Sequence, residues 1–289
     1  VAALKPVVTT GWLGDMLHDE ALRIADCRWY LTEPGRGHRE YLSGHIPGAG
    51  YLSLDADLAA PPGAGRHPLP DAGWWRQHIG EIGIGSEHIV VAYDDRGGAI
   101  AARLWWMLRS LGHERVAVLD GGWTAWRAEQ RSITTEVPVW PATVLEGAGA
   151  WAGTIEREEL GDRLGTVTLI DARAAERFRG DEEPIDPVAG HIPTARSVPF
   201  TENLGNRDRF HAAHQLAARF SFAPPGTDIV VYCGSGVTAC HDLLAMTIAG
   251  LQGGLLYPGS WSDWSVAGGP VETGPGDGRS PDTDLQARK

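Results

Sequence analysis

The strongest constraint on the fold of this chain is that its text occurs twice. Arg23-Ile24-Ala25-Asp26-Cys27-Arg28 is matched by Thr168-Leu169-Ile170-Asp171-Ala172-Arg173. Gly44-His45-Ile46-Pro47-Gly48-Ala49 is matched by Gly190-His191-Ile192-Pro193-Thr194-Ala195, and Asp120-Gly121-Gly122-Trp123 by Pro258-Gly259-Ser260-Trp261. In each copy a second tryptophan, Trp126 or Trp264, follows three residues on. The segments keep one order and a nearly constant separation along 289 residues. A solenoid would need more and shorter repeats, so the chain reads as one domain duplicated.

Within each copy, short apolar runs alternate with helical segments. Strands are expected at 23–26, 89–93 and 116–119, with a helix at 100–111. The second copy repeats this with strands at 167–171, 229–232 and 255–257 and a helix at 239–249. Such alternation predicts an α/β fold built on mainly parallel sheets flanked by helices. The expected layout is a first domain at 1–140, a linker at 141–154, a second domain at 155–270 and a loose Gly-, Pro- and Asp-rich tail at 271–289. The twelve tryptophans are expected mostly in the cores.

The run Tyr232-Cys233-Gly234-Ser235-Gly236-Val237-Thr238 sits between an expected strand and an expected helix. In α/β sheets, sites form at the carboxyl ends of strands. Two glycines let this loop curl around the Cys233 sulfur, so that backbone N–H groups and the helix N-terminus can point at it. That arrangement stabilises a thiolate and suits a nucleophile. The first copy has Tyr93-Asp94 in place of Tyr232-Cys233, and a carboxylate cannot do thiolate chemistry. Only the second copy is therefore expected to be catalytic. A cysteine phosphatase would need an arginine six positions after its cysteine to bind phosphoryl oxygens, and that position is Ala239.

Composition narrows the function further. A formal net charge of −12, with no basic block to offset it, argues against nucleic-acid binding. No apolar run is long enough to span a membrane, and the N-terminal residues lack the pattern of a secretory signal. Three cysteines (Cys27, Cys233 and Cys240) without a C-x-x-C pair fit a reducing, cytoplasmic setting and argue against thioredoxin-like redox chemistry. Cys27 and Cys240 are expected to be inert core thiols, and His45 and His191 to be structural.

The paired Gly-His-Ile-Pro segments, Asp171-Ala172-Arg173, Arg177-Phe178, Gly259-Ser260-Trp261 and the Cys233 loop together resemble the two-domain rhodanese-like sulfurtransferases over nearly the whole chain. The loop itself is similar to that of the 3-mercaptopyruvate sulfurtransferase branch. Thiosulfate-specific relatives usually carry basic side chains there, whereas this loop offers only Ser235 and Thr238 as polar groups. The resemblance implies tandem rhodanese-like domains and a sulfane sulfur carried as a Cys233 persulfide. It implies a catalytic group of Cys233, Ser235, His67 and Asp55, the last two contributed by the first domain. Donor binding falls to Arg177 and to the loop from Gly234 through Ser235, Gly236 and Val237 to Thr238.

No metal or organic cofactor is implied. The expected partners are a small-molecule sulfur donor and a thiol, cyanide or thioredoxin-like acceptor, with the enzyme a monomer. Similar enzymes usually carry a second donor-binding arginine a few residues after the first. Here the segment Glu182-Glu183-Pro184-Ile185-Asp186 is short and has no basic residue, so one clamp is expected to be missing. Thiosulfate remains an alternative donor, and a sulfur-binding module without turnover an alternative function.

Overall fold

Short runs become parallel strands in both copies, and the apolar ones are mostly buried. In the first they are β1 (Val7–Val8), β2 (Leu22–Asp26), β3 (Ala49–Tyr51), β4 (Ile89–Tyr93) and β5 (Val116–Leu119), in the sheet order β1-β5-β4-β2-β3. The second has β6 (Thr168–Asp171), β7 (Arg196–Ser197), β8 (Ile229–Tyr232) and β9 (Leu255–Leu256), in the order β7-β6-β8-β9. All these pairings are parallel. Read from the other edge, β9-β8-β6-β7 repeats β5-β4-β2-β3, so the duplication holds at the level of topology. Sheets covered on both faces need continuous apolar strands rather than alternating ones. β5 and β6 are buried at every residue. Helices Ala101–Ser110 and Ala239–Ile248 follow β4 and β8 and are buried from their first residues through Leu108 and Met246.

The computed structural model describes residues 4–224 and 226–276. They form two compact units. One unit takes in the residues through Ala60 with Leu69–Ala152 and Leu204–Phe210. The other takes in Pro61–Pro68, Gly153–Asn203 and the residues from His211 onward. The segment 61–68, expected in the first domain, thus belongs with the second. Residues 141–152, expected as linker, pack on the first unit. Thr143 N–H donates to Gly80 O at 2.9 Å, and Trp151 Nε1–H donates to Pro70 O at 2.7 Å, its ring 5.3 Å from that of Trp75. Residues 271–276 are also held, against the expectation of a loose tail. His191 and Glu272 exchange backbone hydrogen bonds, and Gly274 N–H donates to Arg179 O. The remainder of the expected tail, 277–289, lies outside the described residues.

The repeated motifs have one physical explanation. Asp171, at the end of β6, forms a fully buried ion pair with Arg173 at 2.7 Å. The same guanidinium donates to Gly190 O at 2.6 Å and lies 4.6 Å from the ring centroid of Trp261. In the first unit Asp26 and Arg28 pair at 2.6 Å, and Arg28 donates to Gly44 O at 2.8 Å and covers Trp123 at 4.6 Å. Asp-x-Arg, Gly-His-Ile-Pro and the Gly-x-Trp segment are therefore parts of one device that ties a strand end to two loops. Both motif histidines serve it structurally. His45 Nδ1 lies 2.7 Å from Tyr41 O, and His191 Nδ1 lies 2.8 Å from Phe178 O with its ring stacked on Phe178.

Breaking a buried pair from one side leaves an uncompensated charge, which destabilises by about 3–5 kcal/mol. Arg173→Met should lower the urea midpoint of the second unit accordingly, with the loss read from tryptophan fluorescence. An unchanged midpoint would show that Asp171 does not depend on this partner.

Candidate active site

β8 ends at Tyr232, and the chain turns into the loop 233–238 before helix Ala239–Ile248 begins. The carbonyls of the loop are pinned. Cys233 O accepts from Trp261 N–H and Gly234 O from Ser262 N–H, both at 3.0 Å. Val237 O and Thr238 O accept from the N–H groups of Cys240 and His241, each at 3.1 Å. In trans peptides the N–H points opposite to the C=O, and there are no cis bonds among the described residues. The amides of Gly234, Ser235, Thr238 and Ala239 therefore face away from these anchors. Helix N-termini also leave their first N–H groups without intrahelical partners. Gly236 has φ +75°, and a methyl there would lie 2.4 Å from Pro258 O, so only glycine fits this turn.

The first unit shows what such a loop does with negative charge. Asp94 occupies the place of Cys233, and Asp94 O accepts from Trp123 N–H as Cys233 O does from Trp261. The fully buried Asp94 carboxylate accepts four backbone N–H bonds. Arg96 and Gly98 donate to Oδ1 at 2.8 Å each, and Ile100 and Ala101 donate to Oδ2 at 2.7 and 2.9 Å. The loop architecture is an anion cradle. In the second unit the group at its base is the Cys233 thiol, 1% exposed.

The second unit also carries several of the other residues expected from sequence. Ser235 Oγ lies 2.8 Å from His67 Nδ1, and both side chains are nearly buried. His67 was expected from the first domain; the segment that carries it belongs to the second unit. Asp55 belongs to the first unit, in the short helix Leu54–Asp57, where it accepts from Trp29 Nε1–H at 2.8 Å. Arg177 lies in helix Ala175–Arg179. It donates to Glu183 at 2.7 Å and to Asp186 at 2.9 Å through Nη2. Its neighbour Arg179 pairs instead with Asp181 and Glu176 at the surface.

Arg66 was not singled out from sequence as a functional residue. Its guanidinium pairs with Asp186. A methyl built on Gly234 would lie 2.8 Å from Arg66 Nη2 and 3.5 Å from Arg177 Nη1. Two arginines therefore flank the residue next to Cys233, where one was expected. The available signal was adjacency to His67 in Arg66-His67-Pro68. The other two cysteines are buried. Burial pushes the Cys27 thiol well above its usual range, and Cys240 Sγ donates to Gly236 O at 3.4 Å within the core. Among the described residues there is no cluster of three or more His, Cys, Asp or Glu able to hold a metal. None of the described helices is long and apolar enough to cross a membrane.

Fold and site together define a tandem α/β protein with one cysteine-loop centre. The family model for the rhodanese-like domain matches twice, at residues 9–129 and 156–267. A Pseudomonas aeruginosa protein named as a 3-mercaptopyruvate sulfurtransferase is 43% identical over 278 residues, covering 93% of this chain and 98% of that protein. SseB of Mycobacterium tuberculosis, named as a thiosulfate sulfurtransferase, is 41% identical over 270 residues, covering 90% of this chain and 93% of that protein. The crystal structure of the 3-mercaptopyruvate sulfurtransferase SseA from Escherichia coli superposes with a TM-score of 0.77 at 30% identity, covering 90% of this chain and all of that one. The chain belongs to the rhodanese-like family, and it is a sulfurtransferase enzyme.

Behind the loop lies a buried carboxyl on helix Ala239–Ile248. Burial raises the Asp242 pKa from 3.8 to about 8, although Asn203 Nδ2–H donates to its Oδ1 at 2.6 Å. Between about pH 4 and pH 8 the folded chain keeps a proton that the unfolded chain has released. Stability from this group therefore falls as pH rises through that window. Asp242→Asn should flatten the decline, so that urea midpoints at pH 5 and pH 8 lie closer together than in the parent. An equal decline in both proteins would remove Asp242 as its source.

Proposed function

We propose that this enzyme moves a sulfane sulfur from 3-mercaptopyruvate to a small acceptor through a persulfide on Cys233. The Cys233 thiolate attacks the donor's sulfur, forming an S–S bond as the C–S bond breaks. The C–S electron pair goes to carbon, giving the enolate of pyruvate, which must gain a proton. The outer sulfur remains on Cys233 as a persulfide, its charge held by the amides of the loop. A thiol or cyanide then attacks that outer sulfur and restores the Cys233 thiolate. A thioredoxin-like protein is the expected macromolecular version of the thiol acceptor.

The Ser235–His67 contact at 2.8 Å carries the choice of donor. A hydroxyl of the cysteine loop hydrogen-bonded to an imidazole can deliver the proton that an enolate needs. Thiosulfate leaves as sulfite and needs no proton at carbon. Charge favours the same choice. No cationic side chain lies between Cys233 and Thr238, and Arg66 and Arg177 are already opposed by Asp186 and Glu183. That balance suits a monoanion better than a dianion. Asp55 is proposed as the acidic member of a Ser–His–Asp relay, as the family resemblance implies.

The deciding experiment compares kcat/KM for 3-mercaptopyruvate and thiosulfate on one sample with cyanide as acceptor. Mercaptopyruvate should be preferred. A preference for thiosulfate would reverse the donor assignment, and turnover of neither would leave a sulfur-binding module. Cys233→Ser should abolish transfer from both donors while the thermal melt stays unchanged. His67→Ala should lower turnover of mercaptopyruvate by about 10²–10⁴-fold and leave turnover of thiosulfate nearly intact. An equal loss with both donors would sink the proton-delivery role.

A further inference from the structure

We propose that the first unit carries a second small-molecule site, built for a free α-amino acid, at the place that matches the cysteine-loop centre of its twin. The site owes nothing to the choice of sulfur donor. A cavity of about 520 Å³ opens there, with Arg28, Tyr30, Arg36, Asp95, Trp123 and Arg127 in its wall. All of these belong to the first unit. Arg28 follows β2, Asp95 follows β4, and Trp123 and Arg127 lie on helix Gly122–Ala128 after β5. The cavity thus stands at the carboxyl ends of parallel strands, where ligands of such sheets bind.

What each wall group still has to offer decides the ligand. Arg28 is 1% exposed, and its Nε and Nη2 are engaged by Asp26 and by Gly44 O. In the second unit the matching Arg173 also engages its Nη1, which donates to Glu183 at 3.3 Å. Arg28 Nη1 has no such partner among the described residues, so a buried guanidinium keeps N–H donors for the cavity. The exposed guanidinium of Arg127 likewise has no hydrogen-bond or ion-pair partner among the described residues. On the acidic side, Asp95 Oδ2 accepts from Tyr30 O–H, while its buried Oδ1 has no hydrogen-bond partner. An acceptor buried in that way calls for a donor.

The charges of the wall narrow the choice. Arg28 is balanced by Asp26, and Arg36, which lies 4.1 Å over the Tyr30 ring, is balanced by Glu40. Arg127 and Asp95 are left, one of each sign. A simple anion would meet Asp95, and a simple amine would meet Arg127. An α-amino acid carries both charges on one carbon: its carboxylate suits Arg28 Nη1 and Arg127, and its ammonium suits Asp95. Asp94 fills the base of this loop, so the ligand is held with no nucleophile beside it.

Isothermal titration of the whole chain with each L-α-amino acid of uncharged side chain, other than cysteine, whose thiol accepts sulfur, tests the site. At least one should bind with a Kd in the millimolar range or tighter. For the tightest, Arg127→Ala and Asp95→Asn should each raise Kd about 10-fold or more, the factor expected for loss of a charge-assisted hydrogen bond. The amine and the carboxylic acid with the same side chain should each bind more weakly by a similar factor. Arg177→Ala, in the second unit, should leave Kd unchanged. Equal affinity for the deaminated acid would make the cavity an anion site and overturn the assignment. Binding that survives both first-unit variants, or that is lost with Arg177→Ala, would move the ligand to another place and overturn it too. Absence of binding by every member of the panel would remove the site altogether.

Discussion

The second unit is organised around the buried ion pair of Asp171 and Arg173. Its direct contacts reach the end of β6, the loop at Gly190 and the face of Trp261. Through its remaining nitrogen Arg173 also donates to Glu183 at 3.3 Å, and Glu183 in turn holds Arg177. β6 pairs with β8 so that Asp171 stands opposite Tyr232, the residue before Cys233. One guanidinium therefore links the end of β6, which lies beside β8 and Cys233, to Arg177 through Glu183. Apolar residues of the same volume would fill the space with no net loss of stability, but they would connect none of these parts.

Much of this was legible in the sequence because the constraints are local or repeated. The duplication is visible as text, and the strand–loop–helix around Cys233 is contiguous, so its chemistry follows from residue order alone. The expected helix at 100–111 matches Ala101–Ser110, and the strand at 229–232 matches β8. Residues that failed to read are those whose meaning is tertiary. Arg66 is remote in sequence from Arg177 and Asp186, and no pattern within 61–68 reveals where its guanidinium goes. Residues 271–276 bond through their backbone to His191 and Arg179, a use that composition cannot distinguish from disorder. For the same reason 141–152 read as a linker, although Trp151 packs against Trp75.

Electrostatics in this enzyme works at short range. A net charge of −12 sets the long-range field against any anionic donor, and near the sulfur each arginine is matched by a carboxylate. What remains to favour an anion is direction rather than surplus charge, as the Asp94 carboxylate shows by accepting four backbone N–H bonds in the corresponding loop of the first unit. Such preorganised dipoles act only on a group that has already arrived and lost its water. Selection among donors is then a matter of fit at the last few ångströms.

The four N–H bonds on Asp94 carry a consequence for the other loop. In the first unit the cradle is filled by a permanent side-chain charge, so its amides are satisfied whether or not any small molecule is present. On the proposed mechanism, the corresponding groups in the second unit meet a charge only while Cys233 carries the transferred sulfur. Folding of the catalytic half is therefore coupled to its chemical state in a way that folding of its twin is not. A group that binds only the native state stabilises it, so cargo on Cys233 acts as a tethered ligand of its own domain. On that mechanism the loaded enzyme, between donor and acceptor, is the more stable form, and discharge of the sulfur removes that stabilisation.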